Sequence, residues 1–184
     1  PEPLPSEVIE VDARNDSEGR VLTRPDAEPL EQALRAASRR GITSLAVVVL
    51  HSPKNPELEL EIERVARRVG FEHIALSHRV SPETGLLSRA DTTVLDAYLS
   101  PLLIEHVKKL ETALPSSTLL AMQSSGGLVA AQKLSGPTAI VSGPAGGGVA
   151  VQRIADALGL GPAIGFDMGG TSTDVSRSAG EPSY

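Results

Sequence analysis

Continuous apolar runs alternate with amphipathic stretches in the first half of the chain. The apolar run over 44–50 predicts a strand buried on both faces, which is typical of a parallel sheet. Helical spacing before it predicts a helix over 28–40, and a second helix is predicted from Asn55-Pro56 to Gly70. A short strand is predicted over 73–77. This succession predicts right-handed crossovers within a layered α/β fold.

Other elements are predicted on both sides of this succession. Turn-forming residues over 15–19 predict a hairpin near the start of the chain. The remaining predicted elements are hairpin strands over 7–13 and 20–24, a helix over 90–114 that Pro101 should kink or split, a strand over 118–122, a helix over 149–158, and strands over 163–167 and 173–176.

The two halves of the chain differ in composition. Residues 1–92 contain 28 charged residues and 4 glycines, whereas residues 93–184 contain 12 charged residues and 13 glycines. Charged residues suit solvated helices around strands. Glycines suit a backbone that turns sharply or closely approaches another group, so the second half is expected to contain such approaches.

Charge and residue types exclude several classes of function. The 17 basic and 23 acidic residues give a net charge of −6, which argues against a general nucleic-acid binder. The two Phe and two Tyr residues are too few for base-stacking platforms. Because there is no cysteine, disulfides, thiolate nucleophiles and cysteine-type zinc sites are excluded.

The length of 184 residues predicts one domain, or one domain with part of another. The start Pro1-Glu2-Pro3-Leu4-Pro5 has neither an initiator Met nor a secretory signal, and the chain is predicted to be a fragment of a longer cytoplasmic protein. No apolar stretch approaches the roughly 18–20 residues of a membrane span, so no membrane partner is expected.

The segment 164–175 carries the strongest candidate chemistry. Its apolar strand leads to Asp167, and Gly169 and Gly170 follow, where backbone N–H groups can approach phosphate oxygens. Hydroxyl donors come next, at Thr171, Ser172 and Thr173. The combination favours a phosphate-binding turn over the alternative, a glycine-rich β-hairpin that binds nothing.

A divalent cation fits the same segment. Mg²⁺ prefers carboxylate, water and phosphate oxygens as ligands. Asp167, alone or with Asp174, is therefore the candidate metal ligand.

Two other glycine-containing segments are weaker candidates. The segment 142–148 includes Gly146 and Gly147 and opens a helix, so it is either an anion site or a place of close helix packing. The segment 122–128 is either a polar turn or the rim of a substrate cleft. Its cleft candidates are Gln123, Ser124, Ser125 and Gly126. The chain contains no P-loop motif, and the 142–148 segment does not fit G-x-G-x-x-G.

Taken together, these segments resemble the hydantoinase A/5-oxoprolinase family. The resemblance covers about residues 45–176 and rests on five separated blocks in the family's order. The blocks are 46–56, Thr92-Thr93-Val94-Leu95-Asp96-Ala97-Tyr98-Leu99, 122–127, 142–148 and 166–175.

The resemblance implies an α/β fold of the ribonuclease-H-like, actin-like ATPase type, in which each lobe has a mixed sheet flanked by helices. Residues 1–136 would be the later part of a first lobe. Residues 137–160 would form the connecting helix between lobes, and residues 161–184 the start of a second lobe with its phosphate-binding hairpin.

The resemblance also implies an enzyme that uses ATP with Mg²⁺, or another divalent cation, to open small cyclic amides such as hydantoins or 5-oxoproline. Asp167 and Asp174 would be catalytic, with Asp167 holding the metal. The nucleotide would be bound by Gly146, Gly147, Gly169, Gly170, Thr171 and Thr173.

The implied partners are the remainder of its own chain and a B-type subunit or domain. One alternative is a subunit of an ATP-dependent ketone carboxylase, and another is a non-catalytic actin-like module that binds nucleotide. The 184 residues alone are expected to be inactive.

Overall fold

The computed structural model describes residues 4–178. The chain divides into two compact units, Pro1–Leu102 and Leu103–Tyr184. The predicted α/β class is confirmed. In the described part of the chain, the strands form four two-stranded sheets, of which one is parallel and three are antiparallel.

The first unit contains most of the predicted helix–strand succession. Its elements are β1 (Arg14–Asn15), β2 (Val21–Thr23), α1 (Ala27–Arg39), β3 (Ser44–Val47), α2 (Glu57–Val69), β4 (His73–Leu76), α3 (Ser77–Val80) and most of α4 (Leu86–Ala113).

The second unit contains the end of α4 and a series of short elements. These are β5 (Leu120–Met122), β6 (Leu128–Ala130), a 3₁₀ turn (Ala131–Lys133), α5 (Gly136–Ala139), α6 (Ser142–Ala157), β7 (Ala163–Met168) and β8 (Thr173–Ser178).

The parallel pair β3–β4 forms as predicted, but the prediction of burial on both faces over 44–50 is wrong: β3 ends at Val47, and only Val47 and Val49 of this run are buried, on alternate positions that share one face. Ser44 is aligned with His73, and Val47 with Leu76. The α2 helix ends at Gly70, whose φ of +109° is a left-handed conformation that favours glycine. The buried apolar core comprises Leu30, Leu34, Ala37, Val47, Val49, Leu58, Ile62, Val65, Ala66, Phe71, Ile74 and Leu76.

A buried polar network joins the carboxyl ends of β3 and β4. The Glu59 carboxylate accepts from Val49 N (2.9 Å), Ser77 Oγ (2.5 Å) and His78 N (3.1 Å), and His78 Nδ1 is 2.6 Å from its second oxygen. The Arg89 guanidinium donates to Ser77 Oγ (2.9 Å) and to Val49 O (2.8 Å). Glu59 and Arg89 are fully buried. Their hydrogen bonds satisfy charges that would otherwise be costly inside the unit.

The prediction of a strand over 7–13 is wrong. On that side of the hairpin, Arg14 and Asn15 are the only strand residues from residue 4 onward, and they pair with β2 through an irregular register. Val8 and Ile9 are adjacent and break the alternation that a half-buried strand needs, and residues 7–13 have no ladder partner among the described residues. The turn over 15–19 forms as predicted.

Of the two outcomes predicted at Pro101, a kink or a split, the split does not occur, because α4 runs through this residue. A proline inside a helix leaves the carbonyl four residues earlier without its usual donor. Here that carbonyl belongs to Ala97, and the Ser44 hydroxyl on β3 donates to it (2.5 Å). The strand therefore satisfies the acceptor that the proline leaves free.

The glycine-rich segment 142–148 is helical, because α6 begins at Ser142, seven residues before the predicted start. Each glycine costs about 1 kcal/mol of helix propensity, but packing of the helix against neighbouring elements outweighs such local preferences. Pro144 lies in the first turn, where its missing N–H leaves no helical bond unmade.

Candidate functional site

The β7–β8 hairpin forms as predicted and presents two different faces. In its antiparallel register Asp167 is opposite Asp174, Gly165 is opposite Ser176, and Phe166 is opposite Val175. Directly opposed residues in a sheet share one face, and faces alternate along each strand. Both aspartates therefore lie on one face with Gly165, and Phe166 lies on the other.

The two faces differ sharply in polarity. The face opposite the aspartates carries Ile164 (75% exposed), Phe166 (68%), Met168 (75%) and Val175 (65%). Thr173 belongs to this apolar face, because it is opposite Met168. The structure thus separates Thr173 from Asp167 and Asp174, with which the sequence analysis grouped it.

The Asp167 and Asp174 carboxylates form an acidic pair at the end of the hairpin. Like charges directly opposite each other in a sheet are destabilising. Both residues are exposed, and neither has an ion-pair partner within residues 4–178. A bound cation would relieve this repulsion, since a positive charge lowers the free energy of both carboxylates.

The α6 helix packs on the aspartate face. A Cβ atom built on Gly147 would lie 3.2 Å from Asp167 Oδ2, and one built on Gly148 would lie 3.8 Å from Ser176 Cβ. Farther along, the Ser178 hydroxyl donates to the Gln152 side chain. The helix therefore runs along the hairpin, with its glycine-rich first turns next to Asp167.

Gly165 is a point of very close approach between the helix and the hairpin. A Cβ atom built there would lie 2.3 Å from Val151 Cγ2 and 2.5 Å from Ser176 Oγ, and Gly165 is buried. Side chains cannot approach so closely, so no residue with a Cβ fits without a shift of its neighbours. Gly165 was not among the predicted site residues, although a glycine inside an apolar strand is itself a signal of close backbone approach.

The turn between the strands spans residues 169–172. Gly169 N donates to Ser172 O (2.9 Å) and closes the turn. A Cβ atom built on Gly170 would have nothing within 4 Å, and Thr171 is exposed. The turn is therefore open on the Gly170 side, while the Gly169 amide is already engaged within it.

The position of α6 changes how Gly146 and Gly147 would act. Ala145 N already donates to Val141 O (3.1 Å), so the helical hydrogen bonds begin at this residue. The amides of the two following glycines belong to the helix interior, whereas free N–H groups occur only in the first turn. Gly146 and Gly147 would therefore let another group come close to the helix backbone, and their amide groups would not act as donors to a ligand.

The turn over 123–127 lies beside the start of α6. Gln123 N donates to Gly127 O (2.8 Å), and Gly126 has a φ of +80°, as a tight turn requires. Ser124 N donates to Thr138 O (2.7 Å), and the Ser124 hydroxyl accepts from Val141 N (3.2 Å). Ser124 thus connects this turn to the residue before α6.

The structure brings together some of the predicted site residues. Asp167, Asp174 and Gly147 come together where the hairpin and α6 pack. Gly146 lies next to the end of β5, since a Cβ atom built on it would be 3.9 Å from Met122 Cγ. Ser125 is exposed on its turn. Among residues 4–178, no group of three or more His, Asp or Glu side chains could hold a metal ion, so the carboxylate pair is the largest donor set at this place.

Comparison with protein families gives an independent view of the chain. The model of the hydantoinase/oxoprolinase family matches residues 89–184, and the model of the hydantoinase/oxoprolinase N-terminal region matches residues 1–70. The chain belongs to the hydantoinase/oxoprolinase family. The resemblance seen in the sequence is thereby confirmed.

Two curated relatives show how much of a family member the chain represents. It is 39% identical to 5-oxoprolinase 1 of Arabidopsis thaliana over 98% of its own length and 16% of the relative's length. It is 41% identical to 5-oxoprolinase of Saccharomyces cerevisiae over 86% of its length and 13% of the relative's. The chain therefore spans about a sixth or less of the length of these family members.

Solved structures agree with the family assignment. An ATP-dependent caprolactamase from Pseudomonas jessenii matches with a TM-score of 0.80 and 26% identity, over 92% of this chain and 26% of the other. Nucleotide-free acetone carboxylase matches with the same TM-score and 24% identity, over 92% of this chain and 25% of the other. At that identity the second match shows the fold alone.

In the described part of the chain, no helix has both the length and the hydrophobicity to cross a membrane.

Proposed function

We propose that this chain is part of an ATP-dependent hydrolase that opens cyclic amides. The main support is the Asp167–Asp174 pair, which faces the glycine-rich start of α6 beside an open turn, in a chain of the hydantoinase/oxoprolinase family. Two 5-oxoprolinases are 39% and 41% identical to this chain, and a solved structure of the same fold is an ATP-dependent caprolactamase.

The donor set fits Mg²⁺ with ATP. Mg²⁺ in nucleotide sites is held by one or two carboxylates together with water and phosphate oxygens. Asp167 is the proposed metal ligand, with Asp174 opposite it as support. When bound, the cation would neutralise charge on the phosphates, and the two carboxylates would fix its position.

The exposed turn would hold the phosphates. Gly170 and Thr171 are its open residues, with amide and hydroxyl donors available, while Gly169 shapes the turn through its bond to Ser172. Gly146 and Gly147 would contribute to nucleotide binding by letting α6 approach the site closely, and Thr173 would support the turn from the other face. The polar turn of Gln123, Ser124, Ser125 and Gly126 is the proposed rim of the substrate cleft.

The proposed reaction begins with transfer of the terminal phosphoryl group of ATP to the amide oxygen, which makes the carbonyl carbon electrophilic. Water then adds to that carbon and the ring C–N bond breaks, which leaves the nitrogen protonated and the carbon as an acyl phosphate. A second water hydrolyses the acyl phosphate, so that the ring-opened acid, ADP and phosphate are the products. The protein's contribution to such a transfer is mainly positioning and charge stabilisation.

The wider setting is also proposed. The short span of the relatives that this chain covers supports its being one part of a larger protein. A B-type subunit or domain would complete the enzyme, and a cytoplasmic location would supply ATP. We propose that residues 1–136, 137–160 and 161–184 are the functional units of the chain. The compact units themselves divide at Leu102.

ADP release by the full-length protein tests the proposed reaction. We expect 5-oxoproline, hydantoin or caprolactam to stimulate release, with one ring opened for each ADP formed. Stimulation only by a ketone with bicarbonate would favour the carboxylase, a second candidate supported by the shared fold with acetone carboxylase. Nucleotide binding without any stimulated turnover would favour a non-catalytic module.

A further inference from the structure

The contact between α6 and the β7–β8 hairpin has a glycine on each side. One glycine belongs to the helix and faces the hairpin, and the other belongs to the hairpin and faces the helix. Gly165 on β7 lies under Val151, and Gly147 on α6 lies over Asp167. Gly165 and Asp167 are two residues apart on one strand, so they share the helix-covered face. The two glycines are therefore in line along a single interface.

Gly165 fixes the distance between the helix and the hairpin. A Cβ atom at this position would be 2.3 Å from Val151 Cγ2, well inside van der Waals contact. Val151 is branched at Cβ and belongs to a helix, so its side chain has one strongly preferred rotamer. A side chain at 165 would move the helix away, and it could not simply displace Val151.

Gly147 acts on Asp167 at that fixed distance. A methyl group there would lie 3.2 Å from Asp167 Oδ2 and 3.9 Å from its Cβ, so the carboxylate would have to move by a few tenths of an ångström or turn away. Asp167 is exposed and has room to do so. The bare backbone at 147 is thus what allows the carboxylate to lie against the helix.

We propose that Gly147 and Gly165 are positioning residues that set the place of the Asp167 carboxylate for cation binding. This inference rests on the proposed function, because it assumes that Asp167 holds a cation for ATP. It assigns Gly147 an indirect role through Asp167, and it adds Gly165, a residue with no polar side chain, to the machinery of the site.

The decisive variant is Gly147→Ala in the full-length protein. Alanine favours a helix more than glycine does, so the melting temperature should stay the same or rise. The Mg²⁺ concentration that gives half-maximal ATP binding should rise about tenfold, the usual effect of disturbing a group that orients a metal ligand. Titration calorimetry at several Mg²⁺ concentrations measures this without any turnover.

Gly161→Ala is the matched control. A Cβ atom built on Gly161 meets nothing within 4 Å, and the residue precedes β7 outside the site. This variant should leave the Mg²⁺ dependence of ATP binding unchanged. Asp167→Ala serves as the reference for loss of the ligand itself.

Gly165→Ala should weaken ATP binding at least as much as Gly147→Ala. The variant Gly165→Ala/Val151→Ala/Ser176→Ala removes both atoms that the new methyl group would strike, so it should restore the Mg²⁺ dependence. If Gly165→Ala does not fold, Gly147→Ala still tests the proposal.

Two results would overturn the inference in distinguishable ways. If Asp167→Ala shifts the Mg²⁺ dependence but Gly147→Ala does not, the positioning role is wrong and the proposed site stands. If Asp167→Ala has no effect either, the assignment of the cation site is wrong and the positioning role fails with it.

Discussion

The two units of this chain use different means to hold their elements together. In Pro1–Leu102, branched and aromatic side chains such as Leu34, Leu58 and Phe71 are almost completely buried. In the described part of Leu103–Tyr184, the buried apolar residues are only Val107, Ala131 and Ala155. The second unit instead brings α6 against its hairpin through glycine, while Phe166 and Met168 remain exposed.

The two units therefore contribute differently to stability and to chemistry. A core of large side chains resists change, because each loses many contacts when it is truncated. A contact made through glycine contributes less burial, but it places backbone and carboxylate at short range, as a phosphate or metal site requires. The first unit therefore has the features of a stable scaffold, and the second contains the candidate site.

The largest expected effect is at the buried network of the first unit. Glu59→Ala would leave Val49 N and Ser77 Oγ without their buried acceptor, and it would remove the carboxylate that the Ser77 hydroxyl connects to the buried Arg89 guanidinium. We expect a loss of about 3–5 kcal/mol in the free energy of unfolding, measured by urea denaturation.

Glu63→Ala is the control for this prediction. Glu63 is on the same helix, and it pairs with Arg67 and Arg79 at the surface. It should cost about 1 kcal/mol or less. Equal losses for the two variants would contradict the special role of the buried network.

The next effect compares apolar residues of the two units directly. Leu58 is fully buried, so Leu58→Ala should cost about 2–5 kcal/mol in the free energy of unfolding. Phe166 is 68% exposed, so Phe166→Ala in the same 184-residue chain should change the free energy by about 0.5 kcal/mol or less. A large loss for Phe166→Ala would show that the apolar hairpin face is covered, and the contrast between the units would then be wrong.

The smallest expected effect is a local pH dependence in the N-terminal turn of the first unit. The Arg20 backbone N–H (2.8 Å) and side chain (2.6 Å) donate to the Asp16 carboxylate and lower its pKa below the usual aspartate value. A carboxyl with a lowered folded-state pKa stabilises the fold above its unfolded-state pKa. This stabilisation is lost as the pH falls through the folded-state pKa.

NMR titration of the Asp16 carboxyl carbon checks this directly, and it should titrate at lower pH than an ordinary aspartate. Asp16→Asn should slightly flatten the acid side of the stability profile. Titration of Asp16 at the ordinary aspartate position would contradict the prediction.

Much of the first unit could be predicted from its sequence, because periodic apolar residues determine its helices and its parallel strands. The apolar run over 44–50 and the stop at Gly70 are examples. A strand is wrongly predicted over 7–13, because a strand depends on a partner that local sequence does not specify. The continuity of α4 at Pro101 depends on Ser44, which is 53 residues from Ala97 along the chain.

The candidate site was partly predictable for a related reason. Asp167 and Asp174 stand out because two carboxylates, two glycines and several hydroxyls in one short segment match the donors and the open backbone that a phosphate and cation site needs. Gly165 has no functional group, and its importance appears only when Val151 lies above it. The early start of α6 was missed because glycine is a poor helix former, and only tertiary packing reveals that the segment is helical.

The most direct test of the central claim is ATP binding by the full-length protein carrying Asp167→Ala, measured by titration calorimetry in the presence of Mg²⁺. Asp12→Ala, which changes an exposed aspartate in the other unit, is the control. The account predicts that Asp167→Ala weakens ATP binding by about tenfold or more and that Asp12→Ala leaves it unchanged. Equal ATP affinity in the wild type and Asp167→Ala would contradict the assignment of this hairpin as the nucleotide and metal site.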